Sequence, residues 1–260
     1  MQRPAWETQA RTFRLFTSFW LAGWYVKAWF FSGYLFSVID AVPWSFDFFP
    51  SFFRSPASAR FFYVLPAWSA AVFLTRRILF YRLSAWIMIF SSAALAVHQD
   101  TCNDATFVTS FWTGVWALWL ACRREDSAEN VPYHAKALAA LIIGMIFTGG
   151  CVGKWTGGYW DGTVLANVFG AYEAGLGIEW IKHSLPPQMQ ADAFRVLSRL
   201  VIFCEGFLSL SPFLPYPFLV RAGVPILLGF ALTNTVWIYS VLMCLLGMIF
   251  AARQLERECR

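Results

Sequence analysis

Apolar runs of bilayer-spanning length recur along the chain, separated by short polar breaks. A membrane-crossing helix needs about 20 mostly apolar residues. Phe13–Ile39 is the first such run, following the polar flank MQRPAWETQART. It is too long for the apolar region of a signal peptide and has no A-x-A-like exit, so it predicts a helix that is retained. Arg60–Thr75 predicts a second span around Pro66, which neighbouring helices can accommodate. Ile78–Val97 predicts a third, Ala105–Cys122 a fourth and Ala137–Val152 a fifth. Between the first two lies Asp40–Ala59, with Pro43, Pro50, Pro56 and the cluster WSFDFFPSFF. That segment is too polar to cross and too aromatic to stay in water, so it predicts an interfacial segment.

The last hundred residues admit two readings. Val164–Ile181 is half apolar but carries Glu173, Glu179 and the glycines Gly170, Gly175 and Gly177. If it crosses, Lys182, Arg195 and Arg199 fall inside, Val196–Leu214 returns, and Ala222–Phe250 crosses once more. If it lies in the interface, the final run must break at Thr233–Asn234–Thr235 to bring the C-terminus inside. The placement of basic residues favours the first reading. The two glutamates favour the second, because each costs a few kcal/mol at the bilayer centre unless paired. The expected architecture is an all-α, polytopic integral membrane bundle of seven or eight helices with interfacial segments. Residues 1–260 form one transmembrane domain, with no separate soluble domain.

Composition strengthens this reading. Of 260 residues, 58% are hydrophobic and 13% charged, against about 25% charged in soluble domains. Trp and Tyr are at home at bilayer interfaces, which gives the 19% aromatic content a physical role. The net charge of +5 is not a nucleic-acid signal, because basic residues stand singly or in pairs at the ends of apolar runs. Arg3, Arg11, Arg14, Arg76, Arg77, Arg123, Arg124 and Lys136 fall on one side, which is cytoplasmic by the positive-inside rule. Arg54 and Arg60 are the exceptions. The N-terminus is then cytoplasmic, and His98–Asp104 and Lys154–Gly162 share the outer side. Six cysteines do not make a disulfide scaffold, although Cys102 and Cys151 fall on the outer side and become a candidate pair in an oxidising compartment.

Candidate chemistry gathers where the fifth run meets water, in TGGCVGKWTGGYWDG. A lysine there ordinarily snorkels to the interface. The sharper reading is a base, made one by a desolvated aromatic setting. Trp155, Tyr159 and Trp160 are placed to exclude water, with Asp161 beside them, and Gly149, Gly150, Gly153, Gly157 and Gly158 let backbone or ligand approach closely. HQDTCND is an ordinary polar turn or a second cluster, in which His98, Asn103 and Asp104 would contact a substrate. His98 and Cys102 lack a second pair of ligands, so no metal site is expected. Lys27 and Glu205 stand inside apolar runs, where charges pair or line a cavity. A Lys27–Glu205 pair bracing two helices is the plain structural reading. No P-loop, G-x-G-x-x-G, H-E-x-x-H or G-x-S-x-G is present, which removes the usual support for nucleotide-binding and hydrolase classes.

The stretch GGCVGKWTGGYWDGTVL resembles the vitamin K-dependent gamma-glutamyl carboxylase superfamily and its bacterial relatives, the horizontally transferred transmembrane (HTTM) proteins. Those carry a Gly-rich helix end followed by K-x-x-x-x-W-x-x-G. Lys154, Tyr159 and Gly162 take these places, with Trp160 one step late. Arg14, the His98–Asp104 loop with Asn103, Glu205 before SPFL, and the long last helix are partial matches. In the carboxylase the matching lysine deprotonates the hydroquinone. The resemblance therefore implies Lys154 as the base, on the periplasmic side of a bacterial inner membrane, with a quinone or other isoprenoid lipid as ligand. The chain departs from the family twice. Relatives tend to carry a histidine in the last long helix, where this chain has Thr233–Asn234. The carboxylase also has a large soluble lumenal domain with no counterpart here.

Two classes of function follow. One is a membrane enzyme of carboxylase-like or quinone-linked chemistry, with Lys154, His98 and Glu205 as catalytic residues. Its substrate contacts would be Asn103, Asp104, Trp155, Tyr159, Trp160 and Asp161. The other is a non-catalytic transmembrane subunit that packs within a larger membrane complex. A small transporter is weaker, because few intramembrane charges line a path. The expected partners are the lipid bilayer and other membrane subunits, with no nucleic acid.

Overall fold

A computed structural model describes residues 5–33, 56–72, 78–98, 105–123, 130–171, 176–233 and 236–259. Among them every regular element is helical and there is no strand. Among the described residues three helical stretches are long and apolar enough to cross a membrane: Ala105–Cys122, Val131–Gly153 and Tyr239–Arg257. Phe80–Ala96 and Tyr216–Phe230 are shorter apolar helices. The chain divides into two compact units, residues 1–136 with 243–260, and Ala137–Leu242.

The first unit contains α1 (Ala5–Gly33), α2 (Pro56–Val72), α3 (Ile78–His98), α4 (Ala105–Cys122), the start of α5 (Val131–Gly153) and most of α12 (Val236–Cys259). Its core is aromatic. Phe13, Phe16, Trp20 and Trp24 recur at helical spacing on one buried face of α1. Phe13 packs on Tyr81 at 4.7 Å between ring centroids, and Phe16 on Trp116 at 5.5 Å. Two of the buried indoles find backbone partners: Trp24 donates to the Tyr63 carbonyl and Trp116 to the Ala135 carbonyl, each at 3.0 Å. Such partners are needed where no water is present to satisfy an N–H.

α3 and α4 pack antiparallel. Ile89 abuts Gly114, where an added Cβ would lie 3.1 Å from Ile89 Cγ1, and the Arg82 Nε donates to the Ala121 carbonyl at 3.1 Å. Their buried faces hold small and hydroxylated residues, including Ser84, Ser91, Ser92, Thr106, Ser110 and Thr113. The outward face of α3 carries Leu83, Trp86 and Phe90 instead. Small residues inside and large apolar ones outside is the arrangement of helices that meet in lipid, where only close packing distinguishes an interface from the solvent. α12 follows the same logic. An added Cβ at Gly247 would lie 2.7 Å from Phe19 Cβ, so glycine lets α12 press against α1.

The second unit contains the rest of α5, then α6 (Gly157–Trp160), α7 (Thr163–Ala171), α8 (Leu176–Ser184), α9 (Pro187–Ser209), α10 (Tyr216–Phe218) and α11 (Val224–Thr233). A short 3₁₀ turn, Ser211–Phe213, follows α9, and a π turn, Leu219–Gly223, precedes α11. α5 and α9 run antiparallel. Gly150 meets Glu205, and Gly144 meets Ser209 and Pro212. Leu165 of α7, Ile178 of α8 and Phe194 of α9 form a small buried cluster with Ala166, Ile181 and Leu197 around them.

Several expected boundaries move. α1 starts at Ala5, inside the segment read as a polar flank, and its described part ends at Gly33. α5 starts at Val131, since Pro132 is well tolerated in a first turn. α9 likewise starts at Pro187, nine residues ahead of the expected Val196, with Pro at its first position and a polar first half. Within Val164–Ile181 the described residues form α7 and α8, each nine residues, or about 14 Å long; positions 172–175 between them lie outside the described residues. Glu179 is held within α8 by Lys182 at 3.1 Å and His183 at 3.4 Å. Ala222–Phe250 is carried by the π turn, α11 and α12, the two helices flanking residues 234–235. The expected interfacial segment Asp40–Ala59 lies outside the described residues up to position 55, as do the Arg76–Arg77 hairpin and Glu173.

Candidate functional site

α9 builds the site by laying one stripe against the chain between Gly144 and Gly162. Phe194, Ser198, Val201, Ile202, Glu205 and Leu208 are its buried residues, repeating at the three- and four-residue steps that share a helix face. The polar members of the stripe each meet a partner. Glu205 receives Lys154, whose Nζ lies 2.8 Å from both carboxylate oxygens. Side-chain exposure is 21% for Lys154 and 11% for Glu205, so the pair is mostly withdrawn from water. The Lys154 ammonium also lies 5.8 Å from the centroid of the Tyr159 ring, a cation–π distance.

Glycine makes this approach possible at two points. An added Cβ at Gly150 would stand 3.2 Å from Glu205 Oε2, so the bare backbone of α5 leaves the carboxylate its space. Gly162 has φ +86°, in the left-handed region, and an added Cβ there would stand 2.6 Å from the Arg195 nitrogen. Only glycine meets both demands. Gly149, Gly153 and Gly157 differ, because a Cβ at any of them would meet open space.

The end of α6 is capped from α9. The Ser198 hydroxyl donates to the Tyr159 carbonyl, and the Arg199 Nε donates to the Trp160 carbonyl at 3.1 Å. A helix end leaves its last carbonyls short of internal partners; the Tyr159 carbonyl also accepts from the Gly162 N–H at 3.2 Å. The Arg199 guanidinium also lies 5.0 Å from the centroid of the Trp160 ring. Trp160 stacks on Trp155 at 5.6 Å and meets Phe203 edge-on at 6.2 Å. Asp161 turns the chain into α7: its Oδ1 accepts from the Thr163 nitrogen at 2.9 Å and the Thr163 hydroxyl at 2.6 Å. The Thr163 hydroxyl, then the Thr163 backbone N–H, hold the Asp161 carboxyl below its ordinary value, with a smaller contribution from Arg195.

The structure therefore brings together Lys154, Glu205 and Tyr159, with Trp160 and Trp155 one layer further out. Trp155 is 63% exposed and forms part of a surface rather than a wall around Lys154. The expected Lys27–Glu205 pair is corrected, because Lys154 takes both oxygens of Glu205. Lys27 is buried on α1, with its ammonium 5.8 Å from the Phe107 ring centroid. Cys151 carries a free thiol, its Sγ 3.7 Å from the Ile202 carbonyl, while Cys102 lies outside the described residues. His98 ends α3, but its side chain, Asn103 and Asp104 also lie outside the described residues. Ser198, Arg199 and Phe203 were not anticipated. The available signal was Arg199, the last charge before the apolar half of α9.

As it stands the pair is an ammonium held by a carboxylate, with an internal proton acceptor in hydrogen-bond contact with the amine. A proton passed from Lys154 to Glu205 leaves a neutral amine beside a neutral carboxyl group. No protein-family model matches the chain, and neither a curated protein nor a solved structure is significantly similar to it.

Proposed function

We propose that this chain is an integral membrane protein in which Lys154 and Glu205 form a proton-transfer dyad acting on a lipid-soluble quinol or related isoprenoid lipid, as the HTTM-like motif implies. The observation that carries this reading is the two-point contact of Lys154 with Glu205, 2.8 Å to each oxygen, at the mouth of an apolar helix pair. Glu205 takes the proton that leaves Lys154, and the neutral Nζ then takes the hydroxyl proton of the quinol. The resulting ammonium stays beside the quinol anion and offsets its charge.

Eight spans fit this reading: α1 to α5, α9, Tyr216–Thr233 and α12, with α7 and α8 in the interface. Arg253 and Arg257 fall inside in this arrangement, as they do if Val164–Ile181 crosses, while Lys182, Arg195 and Arg199 stay outside against the positive-inside preference. The Lys154 loop faces the periplasmic side of a bacterial inner membrane.

The test is purification in lipid nanodiscs, followed by extraction and mass analysis of bound isoprenoid quinone. Wild type is expected to carry quinone, and to shift the spectrum of an added short-chain quinol towards its anion. Glu205→Gln is expected to abolish the spectral shift and leave quinone bound. Equal quinone content in wild type and in Lys154→Met/Glu205→Leu would sink the reading.

A second reading, a non-catalytic subunit of a larger membrane complex, is favoured by the outward apolar rows Leu83, Trp86 and Phe90 and Val196, Leu200 and Phe203. It predicts a heteromeric mass after gentle detergent extraction and no effect of Lys154 variants on bound quinone.

A further inference from the structure

α9 changes character at Arg199. Before it the helix is polar, PQMQADAFRVLS; after it the sequence is LVIFCEGFLSL, with Glu205 turned inward against Lys154. Val196, Leu200 and Phe203 lie exposed on its other side. Trp155 and Trp160, stacked on one another and partly exposed, mark the same level. An aromatic pair and the end of a polar segment at one height define the plane where headgroups meet acyl chains.

Arg199 occupies that plane with its guanidinium already oriented. Its Nε is engaged by the Trp160 carbonyl and its face by the Trp160 ring. Both terminal Nη groups are left without a partner among the described residues. The other cations of this unit near it are engaged: Lys154 with Glu205, and Arg195 with Asp192 at 2.8 Å. A guanidinium locked at Nε and open at both Nη groups presents the planar fork that matches two phosphate oxygens. Below it, Leu200 and Phe203 offer an apolar track of acyl-chain character.

We infer that Arg199 and Trp160 hold the phosphate of an anionic phospholipid, with an acyl chain lying along Leu200 and Phe203. The site requires that the chain lies in a bilayer. It does not require any chemistry at Lys154.

The test uses the full chain in nanodiscs made of equal parts phosphatidylglycerol and phosphatidylcholine, released gently and read by native mass spectrometry. Wild type is expected to retain phosphatidylglycerol over phosphatidylcholine. Arg199→Gln is expected to lower that retention about tenfold, and Arg199→Lys to fall between, because a lysine keeps the charge without the fork. Ser198→Ala removes the neighbouring cap of α6 but leaves Arg199, and is expected to retain phosphatidylglycerol as wild type does. Equal retention by wild type and Arg199→Gln, or equal loss in Ser198→Ala, would overturn the inference. Displacement of the lipid by soluble glycerol phosphate would overturn it too, since the site would then be one for free phosphate. Failure of the wild type to enter nanodiscs would count against the membrane reading itself.

Discussion

Lys154 and Glu205 are each costly alone in an apolar setting and acceptable together. Removing one partner of a buried pair costs about 3–5 kcal/mol, and residual exposure of Lys154 lowers that to about 2–3 kcal/mol here. Lys154→Met is therefore expected to destabilise the protein by about 2–3 kcal/mol, read as chemical unfolding in micelles. Lys154→Met combined with Glu205→Leu is expected to recover most of that loss, because an apolar pair of similar volume carries no desolvation cost. A double variant as unstable as the single one would show that the carboxylate has a second role in the fold. Asp161 makes a prediction about pH. Its folded-state value is depressed, so its contribution is present above the ordinary carboxylate value and is lost as pH falls through the depressed one. The Lys154–Gly162 loop is thus expected to loosen in acid, seen as faster amide exchange at Thr163, and Asp161→Asn is expected to remove that acid response. Both are legible in the sequence, Glu205 as a charge inside an apolar run and Lys154 as one where the fifth run meets water. Their pairing is not, because 51 residues separate them and Lys27 is an equally good partner on composition. Only the antiparallel register of α5 and α9 selects Lys154.

At the scale of elements, the glycines of the fifth run and its loop divide into two kinds that the sequence does not distinguish. Gly150 and Gly162 face α9, whereas Gly149, Gly153 and Gly157 face open space. Gly162→Ala combines a left-handed backbone with an overlap on Arg195, and is expected to cost about 2–4 kcal/mol. Gly149→Ala lies within α5 with nothing near it, and is expected to be neutral or to stabilise by up to about 1 kcal/mol, since alanine favours the helix. Thermal unfolding of the two variants side by side checks both, and a harmless Gly162→Ala would mean the loop does not clamp α9. The boundaries of α3 and α4 could be read from the sequence to within a residue, because polar residues end both apolar runs. The start of α9 was missed because a search for apolar length ignores an amphipathic first half.

At the scale of the whole chain, the remaining choice is where residues 163–186 lie, and local packing bears on it. α5 has 23 residues, about 35 Å, enough to cross a core of about 30 Å. In the proposed arrangement its two ends open on opposite faces. Gly162, just beyond its outer end, abuts the backbone of Arg195 in α9, and Trp160 is capped by Arg199. In the proposed arrangement the polar first half of α9 then shares a membrane level with the Lys154 loop, and the chain between them leaves that face and returns to it. This favours the interfacial reading of Val164–Ile181 over the crossing one, against the positive-inside preference of Lys182 and Arg195. Cysteine scanning in a cysteine-free background separates the two, using a membrane-impermeant maleimide on intact cells. Thr156 and Asn130, both exposed, report the two ends of α5: Thr156→Cys is expected to label from outside, and Asn130→Cys only after permeabilisation. His183, with a side chain 80% exposed, then decides the question. His183→Cys is expected to label together with Thr156→Cys. Labelling together with Asn130→Cys would mean that residues 163–182 cross the membrane, and the eight-span arrangement would have to be abandoned.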